Sequence, residues 1–476
     1  MADRRMLGRA RQRYSRVMQT LRARRAGPER QMRLSRGWAR PARLLITVFG
    51  VADLLGTGIL LLPVSRSDPE AASFIDALFT STSALFVVGL TVVDTGAYWS
   101  PFGEVVILCL IQAGGLGIMT LASLLGTVVI RRFGLRMQLN VQTETRAPYV
   151  GEVRGIVGRI TATSLACEAI VALILIPRMW LVHDIAAPTA LYSGMFHAVS
   201  AFNNAGLSLY SDSMTRFADD PVILIPVAMA TILGGLGFPV LLELRRHLTA
   251  PRRWTLHTKL TVHTTALLFV GGMVVVTALE WTNPATLGEM GWADKVLAGS
   301  FHGIMPRSGG FNVIDVGAMR DPTLLAVIML MFVGGGSGGT AGGIKVATFA
   351  VIWLVVWAEI RGHPHVHAYG RRLSSSAIRQ ALSLTFLTMT VVVVVTVILL
   401  IITPFGMTSV LFEVVSASGV VGLSTGITAD LPDSAQLFLV VLMFAGRIGP
   451  ITFASALALR ERTRRYDLAE ARPIIG

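Results

Sequence analysis

The chain has 476 residues, of which 53% are hydrophobic and 15% charged, and its mean hydropathy is +0.63. Soluble domains carry about 25% charged residues, so this composition excludes an ordinary soluble domain and indicates a chain embedded in a bilayer, where ions are costly. The net charge is +14, and residues 1–43 contain fourteen Arg against Asp3 and Glu29.

The Arg-rich segment 1–43 comes directly before the first apolar stretch. Its charge is compatible with nucleic-acid binding or with a cytoplasmic arm lying on anionic lipid. The segment has no zinc-ligand spacing and no heptad pattern, and arginine beside a membrane span is typical of the cytoplasmic side. We therefore expect a cytoplasmic arm that contacts anionic lipid, and no nucleic-acid partner.

Apolar segments of spanning length recur after this arm, and about 20 residues are enough to cross a bilayer. Arginine is concentrated in the second, fourth and sixth connections and after the last segment, whereas acidic residues lie in the other connections. This pattern predicts a multi-pass protein of the cytoplasmic (inner) membrane with both termini cytoplasmic. The eight predicted spans are 44–64, 102–130, 155–182, 221–244, 259–280, 323–357, 380–403 and 435–459.

Each outward connection contains a short apolar helix, a glycine and an extended polar return. The glycine stands ten residues after the start of this pattern in all four copies, at Gly89, Gly206, Gly310 and Gly422. Such self-similarity is an internal repeat. We predict an all-α membrane protein with four tandem helix–pore-loop–helix repeats, in which eight transmembrane helices and four re-entrant pore helices have a pseudo-fourfold arrangement.

The repeats divide the chain into segments of similar design. The predicted segments are an N-terminal arm 1–43, repeat 1 at 44–130, a cytoplasmic linker with repeat 2 at 131–244, a linker with repeat 3 at 245–358, a linker with repeat 4 at 359–459, and a C-terminal tail 460–476.

The short helices and their glycines suit the binding of a cation. The C-terminal end of a helix carries roughly half a negative charge, and glycine allows torsions that other residues avoid. Four extended strands could therefore form rings of carbonyl oxygens that replace the hydration shell of an ion. The predicted filter residues, with the ion at their carbonyls, are Val87, Val88, Gly89, Asn204, Ala205, Gly206, Ser308, Gly309, Gly310, Val420, Val421 and Gly422.

The four loops, with Asn-Asn-Ala-Gly at 203–206 and Arg-Ser-Gly-Gly-Phe-Asn at 307–312, resemble those of the Trk/Ktr/HKT superfamily of potassium transporters. The resemblance covers residues 44–460, and the chain looks more like the Ktr-type membrane subunit because no extra pair of spans precedes the first repeat. The family more often has Arg-Thr-Ala-Gly in the third loop. The resemblance implies potassium uptake, and Gly89 favours potassium because a Ser at this position accompanies sodium transport in the plant branch.

A glycine-rich stretch interrupts the predicted span 323–357. Irregular backbone at that depth should line a cavity, and the resemblance implies that residues 334–345 form an intramembrane gate below the filter. The resemblance also places Arg447, inside the last span, opposite this gate in the ion path. The predicted gate residues are Gly334, Gly335, Gly336, Gly338, Gly339, Gly342, Gly343, Lys345 and Arg447.

The partners follow from the resemblance as well. Family members form homodimers and sit on a cytosolic ring that binds nucleotide. This chain has no soluble regulatory domain of its own, so nucleotide is expected on the partner and not on this chain. No covalent cofactor is expected, and K⁺ or Na⁺ is the transported or coupling ion.

Other functions compete with potassium uptake. A sodium or mixed transporter would keep the same pore. A membrane-embedded enzyme would need an acid–base pair or a metal site, but the spans contain few ionisable residues beyond Glu104, Glu168 and Arg447, so we expect no enzyme. A transporter with inverted repeats does not fit repeats that all run in the same direction, and the Gly-x-Gly-x-x-Gly match at 334–339 lacks the preceding strand of a nucleotide site.

Three polar residues of the predicted pore helices have structural interpretations. His197 and His302 are expected to cap or pack these helices. Glu413 is expected to begin the fourth pore helix, where an acidic residue is favourable.

Overall fold

The structure is a computed structural model that describes residues 46–68, 73–132 and 153–458. The predicted arm 1–43 and tail 460–476 lie outside these ranges. The chain divides into two units after Ala52. Of the first unit the structure describes residues 46–52, which are the first residues of a helix. The second unit contains the predicted filter loops and all of the described elements from residue 53 onward.

The described residues are mostly helical, with one two-stranded antiparallel hairpin between β1 (His367–Ala368) and β2 (Arg371–Arg372). Short 3-10 turns lie at Pro63–Ser65, Thr215–Phe217 and Pro251–Arg253. The α-helices are α1 (Ile46–Leu60), α2 (Phe74–Leu85), α3 (Thr95–Tyr98), α4 (Pro101–Arg132), α5 (Val153–Leu181), α6 (Ala187–Asn203), α7 (Pro221–Leu236), α8 (Phe238–His247), α9 (Leu256–Glu280), α10 (Trp292–Ile304), α11 (Asp321–Phe332), α12 (Val346–Ile360), α13 (Ser375–Ile402), α14 (Met407–Gly419) and α15 (Asp433–Ala458).

Several helices begin at a side chain that caps their free amides. Ser73 accepts a hydrogen bond from the second amide of α2, and Asp220 does the same for α7 at 2.9 Å. Thr255 and Ser374 cap α9 and α13. These residues satisfy amides that have no partner inside the helix, which fixes where each helix starts.

Four of the described helices are long and apolar enough to cross a membrane on their own, so the protein is a multi-pass membrane protein. They include Pro101–Thr120, Val157–Leu181, Leu256–Glu280 and Ser375–Ile402. The predicted span 323–357 consists of α11 and α12 with irregular backbone between them, as its glycines indicated.

The predicted span 221–244 is not one continuous helix, because the structure divides it into two. The helix α7 ends at Leu236, and the chain bends by 104° before α8. Gly237 has a φ of +94°, and a Cβ there would lie 2.5 Å from the Ser337 carbonyl oxygen. Only glycine combines this torsion with so close an approach of another backbone segment.

The short helices α2, α6, α10 and α14 correspond to the predicted pore helices, and each packs against a helix that belongs to another predicted repeat. Helix α6 packs on α4, α10 on α7, α14 on α11, and α2 on α15. Each short helix thus packs on a helix of the repeat before it in the chain. The first short helix, α2, packs on α15 of the fourth repeat, so the four contacts form a closed circle. Phe79, Phe196 and Phe412 stand at the same register in three of them and are completely buried.

Candidate functional site

The four predicted filter loops share one backbone conformation. In each loop the glycine and the residue two positions before it have positive φ, and the residue between them does not. When the sign of φ alternates along an extended segment, successive carbonyl groups point to the same side. In a β-strand they point to opposite sides in turn. The φ values are 57° and 100° at Val87 and Gly89, 61° and 67° at Asn204 and Gly206, 76° and 75° at Ser308 and Gly310, and 57° and 95° at Val420 and Gly422.

Val87 and Val420 are the most unusual of these residues. A β-branched side chain with positive φ is a genuine outlier, and a left-handed non-glycine residue costs of order 1–3 kcal/mol. Both valines are completely buried. The surrounding structure therefore holds the two loops in a conformation that the local sequence would not choose.

The four loop glycines meet one another in chain order. A Cβ added to Gly206 would lie 2.5 Å from the Cα of Gly310, and one on Gly310 would lie 2.8 Å from the carbonyl oxygen of Val421 in the fourth loop. A Cβ on Gly422 would lie 2.9 Å from the Cα of Gly89. A Cβ on Gly89 would clash with the carbonyl oxygen of Ala205 in the second loop. The four loops form a closed ring with no room for a side chain at any of the glycines.

Serines of the short helices support the loops from behind. Ser83 and Ser416 each stand six residues before the glycine of their own loop and accept a hydrogen bond from that glycine's amide at 3.1 Å. Ser200, at the same register in α6, donates to the carbonyl of Leu207 at 2.8 Å. Three of the loops are therefore bonded to their own short helices through these serines.

The predicted gate segment 334–345 contacts three of the four loops. Thr340 donates to the side-chain oxygen of Asn204 at 2.9 Å. The amide of Gly342 donates to the hydroxyl of Ser308 at 3.2 Å, and that hydroxyl donates to the carbonyl of Val420 at 2.6 Å. The structure thus brings this segment directly against three of the predicted filter loops.

The backbone of the same segment is bonded at both ends. Its base is closed where the Gly334 amide donates to the carbonyl of Ile344 at 2.9 Å. Its middle is bonded to the break between α7 and α8, where the amide of Gly336 donates to Gly235 at 2.8 Å and the amide of Phe238 donates to Gly338 at 3.2 Å. The two interruptions of helical structure therefore satisfy each other's free backbone groups.

The two predicted gate cations lie against this segment. Arg447 is buried, and its Nη1 donates to the carbonyl of Thr340. The Nε and Nη2 atoms of Arg447 have no hydrogen-bond partner within the described residues. Lys345 donates from Nζ to the carbonyl of Ala341 at 2.7 Å. Both cations therefore donate to carbonyl oxygens in the middle of the gate segment, between Gly339 and Gly342.

Arg307 is a further residue of this site, and the sequence analysis gave it no role. Its buried guanidinium donates to the carbonyls of Gly334 at 2.7 Å, Thr265 at 3.2 Å and Val333 at 3.4 Å, and it stacks on Phe269 at 4.6 Å. It connects the start of the third loop to the start of the gate segment. An arginine beside a filter loop in an apolar chain was the available signal, because such a charge needs a buried partner.

Glycines of the following helices form another group that the sequence analysis missed. A Cβ on Gly114, Gly234 or Gly446 would strike a carbonyl oxygen in the last turn of α2, at the end of α6 or in α14 respectively. Gly114, Gly234 and Gly446 lie in α4, α7 and α15. Each of these helices can therefore pack closely on the end of the short helix of its own repeat, which is α2, α6 or α14. The strings Gly-Gly-Leu-Gly at 114–117 and 234–237 were the available signal.

Glu168 and Glu104, two acidic residues of the spans, each accept hydrogen bonds from neutral side chains. Glu168 accepts hydrogen bonds from the side-chain amides of Gln112 and Asn203, each at 3.2 Å, directly behind the second loop. Glu104 accepts from the hydroxyl of Tyr192 at 2.7 Å. In the described part of the chain, no group of three or more His, Cys, Asp or Glu side chains is arranged to hold a metal ion.

Comparisons with known proteins show what the chain is similar to. The sequence model of a family described as cation transport protein TrkH matches residues 44–462. The Ktr system potassium uptake protein B of Bacillus subtilis is 38% identical over 91% of this chain and 97% of its own length. The potassium/sodium uptake protein NtpJ of Enterococcus hirae is 31% identical over 88% of this chain and 93% of its own length. The crystal structure of the potassium transporter TrkH from Vibrio parahaemolyticus has a TM-score of 0.67 at 19% identity and covers 86% of this chain and 83% of that one, which is a likeness of fold.

Proposed function

The chain belongs to the TrkH family of cation transport proteins, and we propose that it takes up potassium ions across the cytoplasmic membrane through a selectivity filter of backbone carbonyls. The observation that carries this proposal is the closed ring of four loops with alternating hand of φ. The name of the Bacillus subtilis relative, a potassium uptake protein, supports the choice of ion.

The filter works through carbonyl oxygens of the residues at and before each ring glycine. A potassium ion entering the ring exchanges its water for these oxygens, which cannot collapse onto a smaller ion while the loops are packed against one another and held by their helices. The four short helices add the partial negative charge of their C-terminal ends. The filter residues are Val87, Val88, Gly89, Asn204, Ala205, Gly206, Ser308, Gly309, Gly310, Val420, Val421 and Gly422.

The membrane arrangement that fits this filter has four helix–pore-loop–helix repeats. Eight spans place the N-terminal arm, the C-terminal tail and the basic connections on the cytoplasmic side of the inner membrane, in agreement with the distribution of arginine. The arm 1–43 then lies on anionic lipid. The order in which the short helices pack on neighbouring helices supports a pseudo-fourfold arrangement.

The gate is the segment 334–345, which ends at Lys345, together with Arg447 from the last helix. While Thr340 is bonded to Asn204 above it and to Arg447 beside it, the segment lies across the ion path. Transport requires these bonds to break and the segment to move aside. The glycines permit this movement because they carry no side chains that would have to leave a packed core.

Control of the gate falls to a separate protein. We assign this role to a cytosolic nucleotide-binding ring on which a homodimer of this chain sits. The word "system" in the name of the Bacillus subtilis relative supports a second component.

A sodium or mixed transporter of the same fold is the second candidate. It is favoured by the name of the Enterococcus hirae relative, a potassium/sodium uptake protein. The two candidates differ only in the fine geometry of the carbonyl rings, which flux measurements resolve.

The experiment is cation flux in proteoliposomes that contain the purified chain, comparing potassium, rubidium, sodium and lithium. The test variant is Gly89→Ser, and Gly58→Ser in α1 is the control because nothing lies within 4 Å of a Cβ there. Potassium and rubidium flux well above sodium, with discrimination lost only in Gly89→Ser, supports the first candidate. Equal potassium and sodium flux supports the second, and no cation flux even with the cytosolic partner and nucleotide contradicts both.

A further inference from the structure

Glu413 has a different position from the one that the sequence predicted. It lies in the middle of α14 rather than at its start, and it is completely buried. Its carboxylate accepts hydrogen bonds from the segment that comes after the fourth filter loop. The donors are the Ser424 hydroxyl at 2.7 Å, the Thr425 amide at 2.9 Å and hydroxyl at 3.2 Å, and the Thr428 hydroxyl at 2.8 Å.

His197 makes the equivalent connection in the second repeat. It stands nine residues before the glycine of its loop, as Glu413 does, and both partners Ser208 and Ser424 stand two residues after that glycine. The Nε2 atom of His197 bonds the Ser208 hydroxyl at 2.9 Å, and Nδ1 bonds the carbonyl of Ser193 at 2.7 Å. In both repeats, a side chain of the short helix is therefore bonded to the segment that follows the loop, but the two side chains are chemically different.

The other two repeats have neither Glu nor His at this register. Thr80 and Phe301 occupy the register in α2 and α10, and a phenylalanine has no polar atom to offer. Because the loops follow chain order around the ring, the second and fourth loops lie opposite each other. The two links form a diagonal pair across the ring.

We propose that Glu413 and His197 are positioning residues that fix the outer end of the filter and thereby set its selectivity between potassium and sodium. The inference rests on the proposed function. The link at Glu413 restrains the segment just after Gly422, in the loop where Val420 holds an unfavourable torsion that neighbouring contacts must maintain. Without the link, the loop relaxes and its carbonyls adapt to a smaller ion.

The bonds, rather than the negative charge, carry this role. In Glu413→Gln the amide oxygen still accepts from Ser424 and Thr425, and the amide nitrogen can donate to the hydroxyl of Thr428. Glu413→Ala removes all of these bonds and leaves buried donors without a partner, which is costly. Gln is therefore expected to preserve selectivity and Ala to reduce it.

The experiment measures the potassium-to-sodium flux ratio in proteoliposomes, which does not depend on the fraction of protein that folds. We expect a ratio within about twofold of the parent for Glu413→Gln and a loss of about tenfold for Glu413→Ala. Thr428→Val, which removes the bond from this hydroxyl to the carboxylate and its contact with the Ser424 hydroxyl, should give an intermediate loss, and His197→Ala should act in the same direction. Glu104→Gln is the matched control, because this buried carboxylate bonds Tyr192 rather than a segment after a filter loop.

The outcomes separate this inference from the proposed function. A parent chain without preference for potassium contradicts the proposed function. A selective parent whose Glu413→Ala and Thr428→Val variants conduct with an unchanged ratio overturns the inference, and Thr428→Val alone decides if the alanine variant does not fold. A Glu413→Gln variant as unselective as Glu413→Ala also overturns it, because charge would then be responsible.

Discussion

Replacement of Arg307 by methionine tests the anchoring of the gate segment. Methionine keeps an unbranched apolar stem like that of arginine, but it lacks the guanidinium and so has no donor. Of the three bonds from the guanidinium, those to Gly334 and Thr265, at 2.7 and 3.2 Å, are well within hydrogen-bond distance, and the one to Val333 at 3.4 Å is weak. Buried bonds from a charged donor contribute about 1.5–3 kcal/mol each.

The magnitude is set by the bond to Gly334, because Thr265 lies in α9 and not in the gate segment. Taking the high end for this short bond from a charged donor gives a loss of about 3 kcal/mol, which corresponds to a change of about 100-fold in the ratio of closed to open segment. The flux of potassium through the chain alone, without a cytosolic partner, should rise toward the limit that the pore allows. Arg307→Lys keeps one donor for the Gly334 carbonyl and should raise the flux by only about tenfold.

The assay is unstimulated rubidium flux in proteoliposomes, together with the thermal unfolding temperature in detergent. Arg320→Met is the matched control, because Arg320 also donates to a backbone carbonyl, that of Leu279 at 3.3 Å, but is exposed. If Arg307→Met has the same flux and unfolding temperature as Arg320→Met, the guanidinium does not hold the segment and the reasoning fails.

Two further substitutions test the packing around the ring. Thr340→Val removes the bond to Asn204 while keeping the shape of the side chain, and one lost neutral bond of about 1 kcal/mol should raise unstimulated flux about fivefold; an unchanged flux would mean that this bond does not restrain the segment. Gly114→Ala should lower stability by about 1–3 kcal/mol because its methyl group strikes a carbonyl of α2. Gly58→Ala, a helix glycine in open space, should raise stability by about 0.5–1 kcal/mol, and thermal unfolding that fails to separate these two variants would contradict the packing argument.

The sequence was sufficient to locate the loops, because their signal is local and repeated. A glycine at a constant distance from a short apolar helix recurs four times, and all four glycines have positive φ. The interruption at 334–345 was also predictable, since seven glycines within ten residues cannot sustain a helix. In both cases the backbone preference of a single residue type determines the structure.

The remaining features depend on contacts between distant segments. The bend at Gly237 was missed because the apolar character of 221–244 is nearly continuous, and the bend is held by hydrogen bonds to residues 336–340. The position of Glu413 was misjudged because an acidic residue at a helix start is common, whereas its partners lie beyond the loop. Arg307 was overlooked for the same reason, since its acceptors are backbone carbonyls that carry no sequence signature.

The closure of the ring between Gly89 and Gly422 has a consequence for biosynthesis. The first loop is made early, yet its neighbour on one side is among the last segments to leave the ribosome. Until α14 and α15 are inserted, Val87 has no complete surroundings to maintain its unfavourable torsion, and α2 lacks the helix on which it packs. A nascent chain therefore carries an unfinished ring of loops through almost all of its synthesis.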